Sequence, residues 1–125
     1  FLPSMADAAC SINRLYAGKI AFINVMANMS VDCDCCAVAE DPKMKDVGIL
    51  ASLDPVALDS VFARLVYLKP EMVPTNYHGE KMGLGNCREE NIEVVTVESE
   101  YWGAKLAPMK MTQKDVEDWV KMKEK

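Results

Sequence analysis

Three cysteines fall within four consecutive positions of the stretch "VDCDCCAVAED": Cys33, Cys35 and Cys36, with only Asp34 between the first two. Thiolates are soft donors that select zinc, copper(I) or iron–sulfur clusters. Structural zinc sites space their cysteine pairs by two to four residues, so that both sulfurs turn toward one ion. The C-x-C-C spacing is tighter. It can bring two sulfurs to one metal, but a third from the same stretch is geometrically awkward. A complete site therefore draws further ligands from Cys87, Cys10, His78 or an aspartate, none of which stands at a diagnostic spacing. Three readings stay open: ligation of zinc or an iron–sulfur cluster by Cys33, Cys35, Cys36, His78 and Cys87; a redox-active thiol; or a cysteine-rich loop without chemistry.

A second chemistry-bearing stretch is "GILASLDPVALD", residues 48–59. It reads as an apolar strand running into a helix start. Free N–H groups and the helix dipole at such a start favour an anion. Ser52, Asp54 and Asp59 are the candidate anion- or ligand-binding residues. The competing reading is structural, with Asp54 as N-cap and Pro55 as the first helical residue. His78 is the only imidazole in the chain, so any histidine-based proton transfer depends on it. Gly83 and Gly85 in "GLG" are too sparse for a dinucleotide fingerprint and suit a turn. Neither a G-x-S-x-G elbow nor a P-loop occurs.

The elements that must carry these residues follow from periodicity. Ser4 is a candidate N-cap for a helix over 4–17, with Ala8, Ile12 and Leu15 on one face. "KIAFINVM" and "DVGILAS" show little alternation, as expected of strands covered on both faces. The long connection between them, 27–46, holds the cysteines; such a length is functional or disordered in most compact domains. A helix over 55–68 presents Leu58, Val61, Phe62 and Leu65. Residues 69–91 are irregular. "NIEVVTVES" reads as a third strand, "YWGAKLAPMKM" as a connector, and 112–124 as a closing helix with Val116, Trp119, Val120 and Met122 apolar. The sum is an α/β chain, a small layered sandwich with a mainly parallel or mixed sheet of 19–26, 47–52 and 92–98 and flanking helices. Parallel neighbours would bring the cysteine loop and the start of the 55–68 helix to one sheet edge.

Composition narrows the setting. The 125 residues suit a single domain. Nineteen acidic against fourteen basic residues give a net charge of -5, which argues against non-specific nucleic-acid binding. No apolar run approaches the roughly 18 residues of a membrane span, and the start lacks the marks of a secretory signal. Five cysteines, three of them clustered, make a poor disulfide framework and point to a reducing, cytoplasmic setting. Nine methionines are expected in the core.

The run "CDCCAVAEDPKMKDVGILASLDPVALD" resembles the C-terminal part of the domain of unknown function 362 family, whose members look like iron–sulfur-cluster-binding proteins. The matching residues are Asp32 to Cys36, Asp46 to Ser52 and Asp54 to Asp59. "GKIAFINVM" is similar to a strand of the family, and "HGEKMGLGN" to a later segment. The family commonly carries a ferredoxin-type insertion just before the helix that starts here near Ser4. This sequence has none, and Ser60 stands where the family often has Gln. The resemblance thus implies the last segment of a longer protein, with a ferredoxin-type module or redox protein as partner. It does not supply a reaction. Three functions remain: a metal- or iron–sulfur-associated binding domain acting through the CDCC loop; an enzyme domain with its site at Ser52, Asp54 and Asp59; and a structural or assembly domain.

Overall fold

The computed structural model describes residues 1–16, 18–30, 37–38, 41–66 and 73–97, and the backbone of 100–101 and 104–105. It is an α/β structure. Helix α1 spans Leu2–Tyr16, strand β1 Phe22–Met26, strand β2 Gly48–Ser52, helix α2 Pro55–Leu65 and helix α3 Pro74–Lys81. A 3-10 turn follows at Glu89–Asn91, then the short strands β3, Glu100–Tyr101, and β4, Ala104–Lys105. Two compact units result: Phe1–Asn24 with Leu50–Val95, and Val25–Ile49 with Thr96–Lys125.

β1 and β2 form a two-stranded sheet. The sheet is antiparallel, which corrects the expectation of a parallel or mixed one. The Val47 N–H donates to the Met26 carbonyl (2.8 Å) and the Met44 N–H to the Met29 carbonyl (3.1 Å). Partners that approach each other from both ends of the connection mark a hairpin, whereas a parallel pair needs a crossover. The premise that placed the cysteine loop and the 55–68 helix at one edge is thereby removed. Nor are the strands covered on both faces. Met26 is buried and Phe22 and Asn24 half-buried, while Ile23 and Val25 are exposed. Along β2 the alternation slips: Val47 is buried, Gly48 and Ile49 are both exposed, then Leu50 and Ser52 turn inward. Gly48 takes up the slip with φ +133, a conformation closed to most side chains. Asp46 accepts from the Asn28 N–H (2.9 Å), where Asn28 holds a positive φ of 52. Asn is among the few residues that tolerate it.

α3 is the centre of the first unit and is absent from the sequence expectation. Pro74 stands at its start, where a missing N–H costs nothing. It packs on α1 and on α2. On α2 it presents Gly79, where an added Cβ would lie 3.0 Å from Val56 Cγ2, a tight contact that Val56 would have to yield to. Asn76 Nδ2 donates to Ser60 Oγ (3.2 Å) between the same helices. The buried residues of α1 are Ala6 and Cys10, which are 1% and 2% exposed. The face of α1 is therefore not the expected one: Ile12 and Leu15 are 55% and 80% exposed. Small residues let the helices come close enough for polar links, and these select the face. Arg14 Nη2 donates to the Met82 carbonyl (2.9 Å), as does Cys10 Sγ (3.6 Å), at the negative end of α3. Ser4 lies inside α1 and is not its N-cap; Pro3 occupies the first turn and needs no partner for an N–H.

α2 begins as expected, with Asp54 capping and Pro55 first, and ends at Leu65. Gly83, at φ +75, closes α3 by donating to the Glu80 carbonyl (2.9 Å), with Leu84 donating to the Gly79 carbonyl (2.9 Å). Residues 92–97 are described but form no strand; Val94, Val95 and Val97 are exposed. The second unit carries the antiparallel pair β3–β4, with Glu100 opposite Lys105 and Tyr101 opposite Ala104, within a stretch expected to be a connector. Of the described methionines only Met26 is buried. The expected helix 112–124 lies outside the described residues.

Candidate functional site

Asp54 is the organising residue of the first unit's polar site. β2 delivers Ser52, whose Oγ accepts the Asp54 N–H (2.9 Å), a local side-chain turn that aims the chain into α2. The Asp54 carboxylate then accepts three hydrogen bonds. Oδ1 takes the Ala57 N–H (2.9 Å), the N-cap bond. Oδ2 takes both the Asn86 backbone N–H (2.9 Å) and Asn86 Nδ2 (3.0 Å). The chain's own carboxylate thus sits at the positive end of α2, where a ligand's anion would bind. Gly85 lies so close that a Cβ there would overlap the carboxylate. The "GLGN" glycine therefore serves close approach: Gly83 makes the turn, and Gly85 lets Asn86 reach Asp54.

The same segment is pinned twice more. Glu80 Oε1 accepts the Cys87 N–H (3.1 Å), Glu80 Oε2 accepts Arg88 Nε (3.3 Å), and Arg64 Nη2 donates to the Cys87 carbonyl (2.8 Å). The Cys87 N–H bond, with the thiol's hydrogen bond and Arg88 behind it, holds the Glu80 carboxyl below its usual range. Burial pushes the Cys87 thiol up, and the hydrogen bond and charge of Glu80 add to it. Cys87 is thus held as a neutral thiol, and a metal would have to displace its proton against that environment.

His78 Nε2 lies 2.9 Å from Asp7 Oδ1, linking α3 to α1 at an exposed site. Asp59 is exposed on α2, yet neighbouring protein removes enough water to push its carboxyl pKa up. Ser52 and Asp54 lie together at the strand end; Asn86 joins them without having been singled out, and Gly85, expected only to permit a turn, gives it access. A signal existed in "GLGN", whose glycine pair asks for a reason. Cys33, Cys35 and Cys36 lie outside the described residues. Among the described residues no three histidine, cysteine, aspartate or glutamate side chains gather as a metal site. Among them also, no helix is long and apolar enough to cross a membrane.

Residues 1–64 match the sequence model of a domain of unknown function, number 362. The chain belongs to the domain of unknown function 362 family. The match takes in α1, the β1–β2 hairpin with its cysteine-bearing connection, and most of α2. In this member of the family, α3 and the "GLGN" segment that completes the Asp54 site lie beyond the matched region. No curated protein matches the chain, and no solved structure does.

Proposed function

We propose that the chain is a binding domain that handles a soft metal ion or an iron–sulfur cluster through Cys33, Cys35 and Cys36. The observation that carries the reading is the unequal use of cysteine. Three of the five thiols stand within four residues, far denser than packing alone requires. The other two are individually occupied: Cys10 is buried against the end of α3, and Cys87 is buried and held neutral beside Glu80. The donor chemistry of the cluster suits zinc or iron–sulfur, since thiolates select soft or borderline metals. A ferredoxin-type module or another redox protein is the partner class this reading implies.

Asp54 supports a structural role for the strand end, because all its bonds go to N–H groups of the chain itself. The chemistry proposed here is therefore placed on the thiols. The test is elemental analysis and an ultraviolet–visible spectrum of protein made anaerobically with zinc and iron supplied. A bound metal, lost in Cys33→Ser and Cys35→Ser variants and released with uptake of protons on acidification, is the expected result. Protein that carries only trace metal under those conditions, with chelator leaving the melting temperature unchanged, would overturn the proposal.

A further inference from the structure

A small cleft opens in the first unit between α2 and α3, apart from the thiol cluster and from the Asp54 carboxylate. Ser60, Arg64, Asn76, Tyr77 and Cys87 line it, and it offers about 40 Å3 to water-sized molecules. Two of its polar side chains are buried: Ser60 is 7% and Asn76 8% exposed. They bond to each other, Asn76 Nδ2 donating to Ser60 Oγ. That bond uses one of the amide's two N–H groups and one lone pair of the hydroxyl. The Ser60 O–H, the second Asn76 N–H and Asn76 Oδ1 keep no partner among the described residues. Buried groups in this condition call for a further partner, either ordered water or a bound ligand.

Arg64 decides what kind of partner. Its guanidinium has five N–H groups, and its one hydrogen bond among the described residues goes from Nη2 to the Cys87 carbonyl. No carboxylate pairs with it among those residues; in the first unit Asp7 is engaged by His78 and Glu80 by Arg88. The bond to Cys87 anchors the planar group at the cleft and leaves most of its fork unspent. Donors therefore outnumber acceptors around the space, and one of them carries a fixed positive charge. A planar fork of this kind matches a carboxylate in two parallel bonds. The volume agrees. At about 40 Å3 the cleft has room for a few water-sized groups, the scale of one carboxylate group and not of a whole organic acid.

We propose that the cleft between α2 and α3 binds the carboxylate group of a small organic acid, with Arg64 as the cation and Ser60 and Asn76 as buried hydrogen-bonding partners. The carboxylate carbon and oxygens fill the cleft, and the rest of the acid points to solvent.

The experiment is a nuclear magnetic resonance titration of the full chain with sodium acetate at constant ionic strength, observing Arg64 Nε–H and the Asn76 side-chain amide. Saturable shifts at both groups are expected, with acetamide producing none. Arg64→Gln should weaken acetate by about tenfold or more, the loss expected for a charge-assisted pair. Arg64→Lys keeps the charge without the fork and should retain only part of the affinity. Ser60→Ala should weaken binding less than Arg64→Gln does. If Arg64→Gln fails to fold, the Lys and Ala variants still decide. Shifts that never saturate, or that chloride or acetamide reproduces, mean that the cleft holds only ordered water, and the proposal falls. Phosphate that binds more tightly than acetate would also overturn it, because the carboxylate-sized space would then not be the selecting feature. Neither outcome bears on the thiol proposal, whose readout is bound metal.

Discussion

A mutant cycle on Asp54 and Gly85 tests the logic of the first unit directly. Asp54→Ala removes the N-cap bond to Ala57 and both bonds from Asn86. Losing a cap costs about 1 kcal/mol, within a range of roughly 0.5–2. Hydrogen bonds to a charged group contribute about 1.5–3 kcal/mol when buried. The site is half-buried and the Asn86 pair shares one oxygen, so the pair is worth nearer the lower figure. The expected loss is about 2–3 kcal/mol in a urea unfolding experiment. Gly85→Ala should cost a similar amount by itself, because its Cβ would overlap the carboxylate. That carboxylate cannot swing aside without giving up its three donors. The two changes should therefore not add. Once Asp54 is Ala the space beside Gly85 is open, and Gly85→Ala in that background should be neutral or gain up to about 1 kcal/mol from a stiffer unfolded chain. A coupling of about 2–4 kcal/mol is expected, well above the scatter of roughly 0.3–0.5 kcal/mol for independent sites. Strict additivity would refute the claim that Gly85 exists to admit Asp54.

Two further outcomes follow from the titrating groups. Asp59 has a folded-state pKa raised above 3.8 by loss of water, so its ionisation opposes folding as pH rises through that region. Asp59→Asn should raise the melting temperature at neutral pH, and the gain should vanish below pH 3.8. Glu80 is the opposite case: its pKa is lowered from 4.5 by the Cys87 N–H first, so its stabilisation is present above 4.5 and lost as pH falls through the lower folded value. Glu80→Gln should therefore lower the unfolding midpoint at neutral pH and become indistinguishable from the parent chain in acid.

Local chemistry was legible where one short stretch contained the whole device. Asp54 followed by Pro55 announced a helix start, and the structure puts the cap and the first residue there, because capping involves bonds over three residues. Two central strands were legible as short apolar runs, although each is shorter than its run. The α/β class followed from their alternation with helices. Strand direction was not legible, since apolar runs carry no sign of which way a neighbour runs. The Val47–Met26 and Met44–Met29 bonds, made across the connection, settled it as antiparallel. The face of α1 was misread for a related reason. Ala8, Ile12 and Leu15 form the more apolar stripe, but Ala6 and Cys10 are small enough for α3 to approach and for Arg14 to reach Met82. Helix α3 itself escaped notice because its polar sequence, with Gly79 inside, has weak local preference and owes its place to packing on two neighbours. The sequence by itself thus determined the family, the class, the capped start of α2 and the existence of a thiol cluster. Only tertiary structure decided that Asn86, 32 residues away, completes the Asp54 site, and that Ser60, Arg64 and Asn76 share one cleft. Contacts across such separations depend on how helices dock, and no local periodicity encodes the docking.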